Sequence, residues 1–245
     1  MKVTFLEAAN GVALAKHISG DGIKNYPMVK NVTSHEHIVS ADETGLMTLE
    51  QYIKNYANKG YCLLKGNLRE PIINESRAKK TDRMEYTQLL VLDIDKLVIP
   101  NTAIRQKSLN SGDVQGIAEK ILGQMPPAFQ ETSYIAQASA SFGLDPSKVS
   151  IHIFMFLTVP LPPKAVKLWL QYMNYETELF KNNLELSSNG QSLSYPLDVS
   201  ISDNSKTVFI LSLIHISEPT RLLSISYAVF WVEKKRGGGG GGGGG

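Results

Sequence analysis

Hydrophobic and polar positions along this chain change period several times, and each change marks an element. Residues 1–8 alternate as a first strand does. Residues 9–44 are rich in Gly, Asn, Ser, Asp and His with little periodicity, which predicts long loops. Leu49, Tyr52, Ile53 and Tyr56 recur at helical spacing, predicting a helix over 48–56 with Thr48 as its N-cap and Gly60 beyond its end. Residues 61–64 read as a short strand followed by Lys65-Gly66. The apolar run Leu89-Leu90-Val91-Leu92, bounded by charge, predicts a buried strand. A polar loop follows, then a helix near 113–124, a strand over 134–138 and a polar connection containing Gly143 and Pro146. Residues 149–157 form a largely apolar strand interrupted by Ser150 and His152. Pro162 and Pro163 sit where a helix starts, and 165–180 is helical in pattern. Residues 188–194 read as a loop, and 197–210 as two short strands around Ser202-Asp203-Asn204-Ser205. Strands and helices alternate without a Rossmann glycine fingerprint, a P-loop or an internal repeat.

Residues 211–245 stand apart. Leu-Ser-Leu-Ile-His-Ile-Ser-Glu-Pro-Thr-Arg, ending at Arg221, resembles the conceptual translation of a sequencing-library adapter. Ile225-Ser226-Tyr227-Ala228-Val229-Phe230 resembles the flow-cell end of that adapter, with Leu222, Leu223 and Ser224 in the place of a sample barcode. The glycine run from Gly237 to Gly245 matches base calling past a fragment's end. This tail is expected to be non-native and disordered, is set aside for fold reasoning, and implies a gene interrupted near Ile210. The rival reading is a real strand with a flexible glycine tail.

Setting the tail aside changes the charge. Without Arg221, Lys234, Lys235, Arg236, Glu218 and Glu233, the 25 basic and 23 acidic residues fall to 21 of each. A neutral balance neither supports nor excludes nucleic-acid binding, because a local patch suffices. The single cysteine, Cys62, rules out a disulfide framework and a cysteine-based zinc site. No apolar run reaches membrane length and none resembles a signal peptide, so the expectation is a soluble, cytoplasmic protein, in the host cytoplasm if viral. Length suits one domain over 1–210.

The candidate chemistry begins with Asp93 and Asp95. Residues i and i+2 of a strand share a face, so both carboxylates project together from the strand end. Paired carboxylates repel unless a proton or cation lies between them, and Mg²⁺ or Mn²⁺ suits oxygen ligands. The bland alternative is a solvated strand end before Lys96. Ser150 and His152 share one face of a later strand, as a satisfied core histidine or as the wall of a site. Leu197-Asp198 places a further carboxylate after a short apolar segment, with Asp203 equally eligible by composition. Arg69, Arg77, Lys79, Lys80 and Arg83 form the one dense basic cluster, either a solvated loop or a phosphate-contacting one.

Taken in order, Asp-x-Asp, Ser-x-His and hydrophobic-Asp resemble the archaeo-eukaryotic primase superfamily, the primase-polymerases of phages and plasmids. Ala138-Ser139-Ala140-Ser141 and the helix around Trp169 are also similar to phage members that precede a helicase. The resemblance spans 1–210 and departs in a longer connection from Ser141 to Ser150. It implies an α+β fold with an RRM-like antiparallel or mixed sheet and flanking helices, incomplete at its C-terminus. It implies template-directed nucleotidyl transfer by a two-metal mechanism, with Asp93, Asp95 and Asp198 as catalytic metal ligands for Mg²⁺ or Mn²⁺. Ser150 and His152, with Lys65 as a lesser candidate, would contact the nucleoside triphosphate; Arg69, Arg77, Lys79 and Lys80 would contact nucleic acid. The implied partners are a single-stranded DNA template, nucleoside triphosphates and a helicase domain downstream.

Two rivals remain. A metal-dependent nuclease or nicking initiator would use a paired-histidine site, and His35 and His37 have the His-x-His spacing. A nucleic-acid-binding replication accessory would keep the fold without activity.

Overall fold

A computed structural model describes the chain apart from residues 16, 20, 21, 25, 100–112, 143, 144, 146, 188, 211–213 and 218–245. The first strand, β1 (Lys2–Ala8), is buried on both faces. Val3 and Phe5 point into the main core, while Leu6 and Ala8 point into a smaller one, as the two-residue strand period requires. A short hairpin, β2 (His17–Ser19) and β3 (Gly22–Lys24), precedes β4 (Val32–Ile38), which pairs antiparallel with β1 along its whole length. The expectation of loops over 9–44 is therefore corrected. Val-Thr-Ser-His-Glu-His-Ile is polar on both faces because β4 is a half-exposed edge strand, where apolar alternation is not demanded.

Helix α1 (Glu43–Asn58) starts before the expected Thr48. Asp42 is its N-cap and accepts from the Gly45 amide at 2.8 Å, whereas the Thr48 hydroxyl bonds back to Thr44 O inside the helix. The helix ends before Gly60, whose φ of +76° is the left-handed conformation a helix terminus favours. Strand β5 (Cys62–Leu64) pairs with β1, and Lys65-Gly66 follows. Gly66 is required where it stands: a Cβ there would lie 2.4 Å from Cβ of Asn204.

Strand β6 (Thr87–Leu97) carries the apolar run and the Asp-x-Asp pair. Helix α2 (Val114–Leu122) and the single turn α3 (Pro127–Gln130) lead to β7 (Tyr134–Ala138) and β8 (Val149–Leu161). β8 lies between β6 and β7, antiparallel to both, and is buried without a break over 149–157. The expected helix over 165–180 is two pieces, α4 (Pro163–Glu176) and α5 (Glu178–Lys181), parted at Thr177, with Pro163 in the first turn. A small hairpin of β9 (Glu185–Leu186) and β10 (Leu193–Ser194) stands in the region expected as loop. Residues 197–210 hold a 3-10 turn (Val199–Ser202) and β11 (Thr207–Val208), which pairs with β5.

Four residues of the tail, β12 (Ile214–Ser217), pair antiparallel with β7, so the tail expected to be disordered contributes one strand at the sheet edge. The rest of that tail lies outside the described residues. The architecture is α+β, with two four-stranded antiparallel sheets, β11-β5-β1-β4 and β12-β7-β8-β6. Both contribute to one hydrophobic core, in which Trp169 of α4 stacks on Phe129.

The free side of β6 is closed by one short segment. The Asp198 amide donates to Asp93 O at 2.8 Å, the Asp95 amide donates to Pro196 O at 3.0 Å, and Leu197 bridges Ile94. Leu197 then turns its own amide and carbonyl away from β6. Both are taken by the buried Asn174 side chain of α4: Nδ2 donates to Leu197 O at 2.8 Å and Oδ1 accepts from Leu197 N at 3.2 Å. Buried backbone groups require such partners. Asn174→Ala leaves two of them unpaired, an expected loss on the order of 2–3 kcal/mol and a Tm lowered by roughly 5–10 °C. Thermal denaturation checks this, and an unchanged Tm contradicts the assignment.

Candidate active site

Four separate chain segments bring polar side chains to paired positions across one sheet. Asp93 of β6 lies opposite His152 of β8, which lies opposite Gln137 of β7. Asp198 lies opposite Asp93 on the other side, through the bridge beside it. Directly opposed residues of antiparallel strands share a face, so Asp198, Asp93, His152 and Gln137 make a polar row across an otherwise apolar sheet. Asp95, Ser150 and Ser139 form the next row, the Ser139 amide donating to Ser150 O at 3.0 Å.

A bulge aims the second carboxylate. The β6–β8 register shifts between Ile94 and Leu97, and Lys96 sits at φ +55°, a strained conformation for a residue with a Cβ. Ser150 holds it: its hydroxyl donates to Asp95 Oδ1 at 2.8 Å and accepts from the Lys96 amide at 3.1 Å. Ser150 is 3% exposed, so it orients a carboxylate and does not line the open space. Asp198 is oriented likewise, accepting from the Ser200 amide and hydroxyl at 2.7 and 2.6 Å.

Asp93, Asp95, Asp198 and His152 line a cavity of about 450 Å³ with Tyr26, Ser139, Ser141, Tyr195, Lys206 and Phe209. The cavity lies where the two sheets meet, since β11 on its far wall belongs to the first sheet. His152 is buried, yet its Nδ1 has no hydrogen-bond partner and its Nε2 is 3.4 Å from Asp93 Oδ1. That is not a satisfied core histidine; an unpaired buried nitrogen costs about 1–3 kcal/mol. Burial, followed by the negative charge of Asp93 and Asp95, pushes the Tyr26 phenol up to about 12. Tyr26 therefore stays protonated as it stacks on Phe209.

Between the two eligible aspartates, Asp198 lines the cavity, while Asp203 pairs with Arg83 and bonds the Ser205 amide. Tyr26, Lys206 and Phe209 escaped the sequence reading. Lys206 had one signal, its place just after the hydrophobic-Asp segment; Tyr26 had none.

The donor set fits a hard divalent cation, because it consists of carboxylate oxygens. Asp93, Asp95 and Asp198 would hold it. Among the described residues no three His, Cys, Asp or Glu side chains form a ready-made cage.

The remaining candidates lie elsewhere. Lys65 is 2% exposed and donates to Thr87 Oγ1 at 3.1 Å; it is a strut between β5 and β6 and lines no part of this cavity. Lys80 pairs with Glu75 and Glu70, Arg69 is exposed, and Arg77 and Lys79 line a second cavity. His35 and His37 of β4 are engaged by Glu7 at 2.9 Å and the Tyr56 hydroxyl at 2.7 Å, away from the acidic row. Among the described residues no helix is long and apolar enough to cross a membrane. No protein-family model and no curated protein matches the chain.

Burial pushes the Lys65 ammonium down from 10.5 to about 8, with Glu85 opposing. The unfolded chain then binds the extra proton between those values, so this group makes the fold more stable as pH rises from about 8 to 10.5. Lys65→Met removes the buried charge. Its Tm should exceed that of the wild type below pH 8, and the gap should narrow toward pH 10. A gap independent of pH contradicts the burial argument.

Proposed function

We propose that the acidic cavity catalyses template-directed nucleotidyl transfer, as a primase-polymerase of the archaeo-eukaryotic primase type with an RRM-like catalytic core. One observation carries the reading: Asp93, Asp95, His152 and Asp198, spread over more than a hundred residues of chain, line one cavity. Nucleotidyl transfer asks a protein for charge neutralisation and alignment more than for covalent chemistry. When bound, Mg²⁺ or Mn²⁺ would supply charge neutralisation at the triphosphate and lower the pKa of the attacking 3′-hydroxyl.

The side chains divide the remaining work. Asp93, Asp95 and Asp198 present carboxylate oxygens fixed by strand pairing and by Ser150 and Ser200. His152 lines the cavity with its Nε2 beside Asp93 and is placed to contact a phosphate oxygen. Lys206, which lines the same cavity, supplies a cation to the triphosphate. Ser139 and Ser141, whose hydroxyls are 3.0 Å apart, add neutral donors. A single-stranded DNA template and nucleoside triphosphates are the partners of this reading. His35 and His37 hydrogen-bond to Glu7 and the Tyr56 hydroxyl and are not among the residues that line the acidic cavity.

The test is nucleotide incorporation on primed and unprimed single-stranded templates with Mg²⁺ or Mn²⁺. Asp93→Ala, Asp95→Ala and Asp198→Ala should each lower the rate at least ~10²-fold with Tm retained. His152→Ala should act mainly on the nucleotide KM. Full synthesis by Asp93→Ala refutes the assignment, and a folded, Mn²⁺-binding wild type without incorporation favours the accessory-protein reading.

A further inference from the structure

A second cavity, of about 420 Å³, shares no lining residue with the acidic one. Ser205 belongs to this cavity and Lys206 to the acidic one, so consecutive residues of one turn serve two separate concavities. Its volume falls within the range of small-molecule sites, roughly 300–1,000 Å³. Lys30, Arg77, Lys79 and Arg83 line it, with no carboxylate. Arg83 is neutralised by Asp203. Among the described residues Lys30, Arg77 and Lys79 make no ion pair. Three uncompensated cations at one concavity select for an anion.

The segment that carries two of these cations is fixed. The Lys80 amide donates to Arg77 O at 3.0 Å, closing a turn, and the Ala78 amide donates to Ser76 Oγ at 3.3 Å. Within that turn Lys79 sits at φ +64°, a left-handed conformation unfavourable for a residue with a Cβ. Arg77 Nη1 donates to Ser205 O at 2.6 Å, which leaves its other N–H groups for a ligand. Thr81 supplies the second, independent observation. It is the one buried residue of the lining, 5% exposed. Among the described residues its hydroxyl has no hydrogen-bond partner. A buried hydroxyl without a partner is unfavourable until a ligand supplies one.

We infer that this cavity binds the terminal phosphate of a small molecule, inorganic phosphate or a phosphomonoester, through Lys30, Arg77, Lys79 and the Thr81 hydroxyl. A terminal phosphate carries about −1.5 to −2 charges at neutral pH and three acceptor oxygens, which matches three cations and one hydroxyl donor. A phosphodiester inside a strand carries a single charge, and its chain continues on both sides, away from one buried hydroxyl. The inference is independent of the nucleotidyl-transfer reading, since no residue of the acidic cavity takes part. It moves Arg77 and Lys79 from the nucleic-acid contact that the motif resemblance implies to a small anion.

The test is isothermal titration calorimetry of the full chain, without divalent metal, against inorganic phosphate and against glucose 6-phosphate. Wild type is compared with Lys30→Gln/Lys79→Gln, Thr81→Val and Asp93→Ala. Wild type should bind at least one of the two compounds with a Kd on the order of 1 mM or tighter. The lysine pair and Thr81→Val should each weaken that binding about tenfold or more, as the loss of charge-assisted hydrogen bonds does. Thr81→Val should do so with Tm unchanged, because its hydroxyl makes no bond in the empty fold. Asp93→Ala should bind as wild type does. Binding of either compound supports the proposal, and the tighter of the two names the source of the phosphate. Affinity unchanged in both the lysine pair and Thr81→Val overturns it, as does absence of binding by a folded wild type. Displacement of the bound compound, phosphate for phosphate, by a single-stranded oligonucleotide lacking terminal phosphates would assign the cavity to a nucleic-acid backbone and also overturn it.

Discussion

The arrangement depends on how the outer side of β6 is closed. A strand with an open edge exposes amides and carbonyls that must find partners, and two adjacent aspartates make that edge hard to bury. Pro196–Asp198 meets both requirements at once. Two backbone hydrogen bonds, from Asp198 to Asp93 and from Asp95 to Pro196, satisfy the strand. The same pairing sets a third carboxylate opposite the first. Asn174 completes the closure by taking both outward groups of Leu197. A helix side chain thus serves as the next strand would, and the acidic site inherits its geometry from that substitution.

Concentrating negative charge in this way opposes folding, and the surroundings are built accordingly. Ser150 and Ser200 donate to Asp95 and Asp198, His152 stands beside Asp93, and Lys206 lines the same cavity. The Lys96 bulge interrupts the β6–β8 ladder beside Asp95. Strain at Lys96 and an unpaired nitrogen on His152 are both unfavourable for the empty fold. Sites that bind ligands concentrate such features, because the ligand supplies the missing partner.

Local pattern carried the strands of the second sheet well. β6, β7 and β8 are buried on both faces, so their apolar runs stand out against polar connections. β4 did not stand out, since an edge strand under no demand to be apolar looks like a loop. The start of α1 was misread because Asp42 and Thr48 are both acceptable caps and only the backbone decides between them. Asp93, Asp95 and His152 were legible from strand spacing. Their union with Asp198 was expected only from the order of motifs shared with the primase superfamily, because Pro196–Asp198 reaches β6 across about a hundred residues of chain. Lys65 illustrates the same limit: a lysine after a strand reads as surface, and only the arrival of β11 on β5 buries it.

The central claim is that the acidic row is a metal-nucleotide site. Its most direct test is Mn²⁺ binding to the full chain by EPR, with and without a nucleoside triphosphate, beside an Asp93→Ala control. The account predicts binding that tightens with nucleotide and vanishes in Asp93→Ala. A folded wild type that binds no Mn²⁺ in the presence of nucleotide would contradict it.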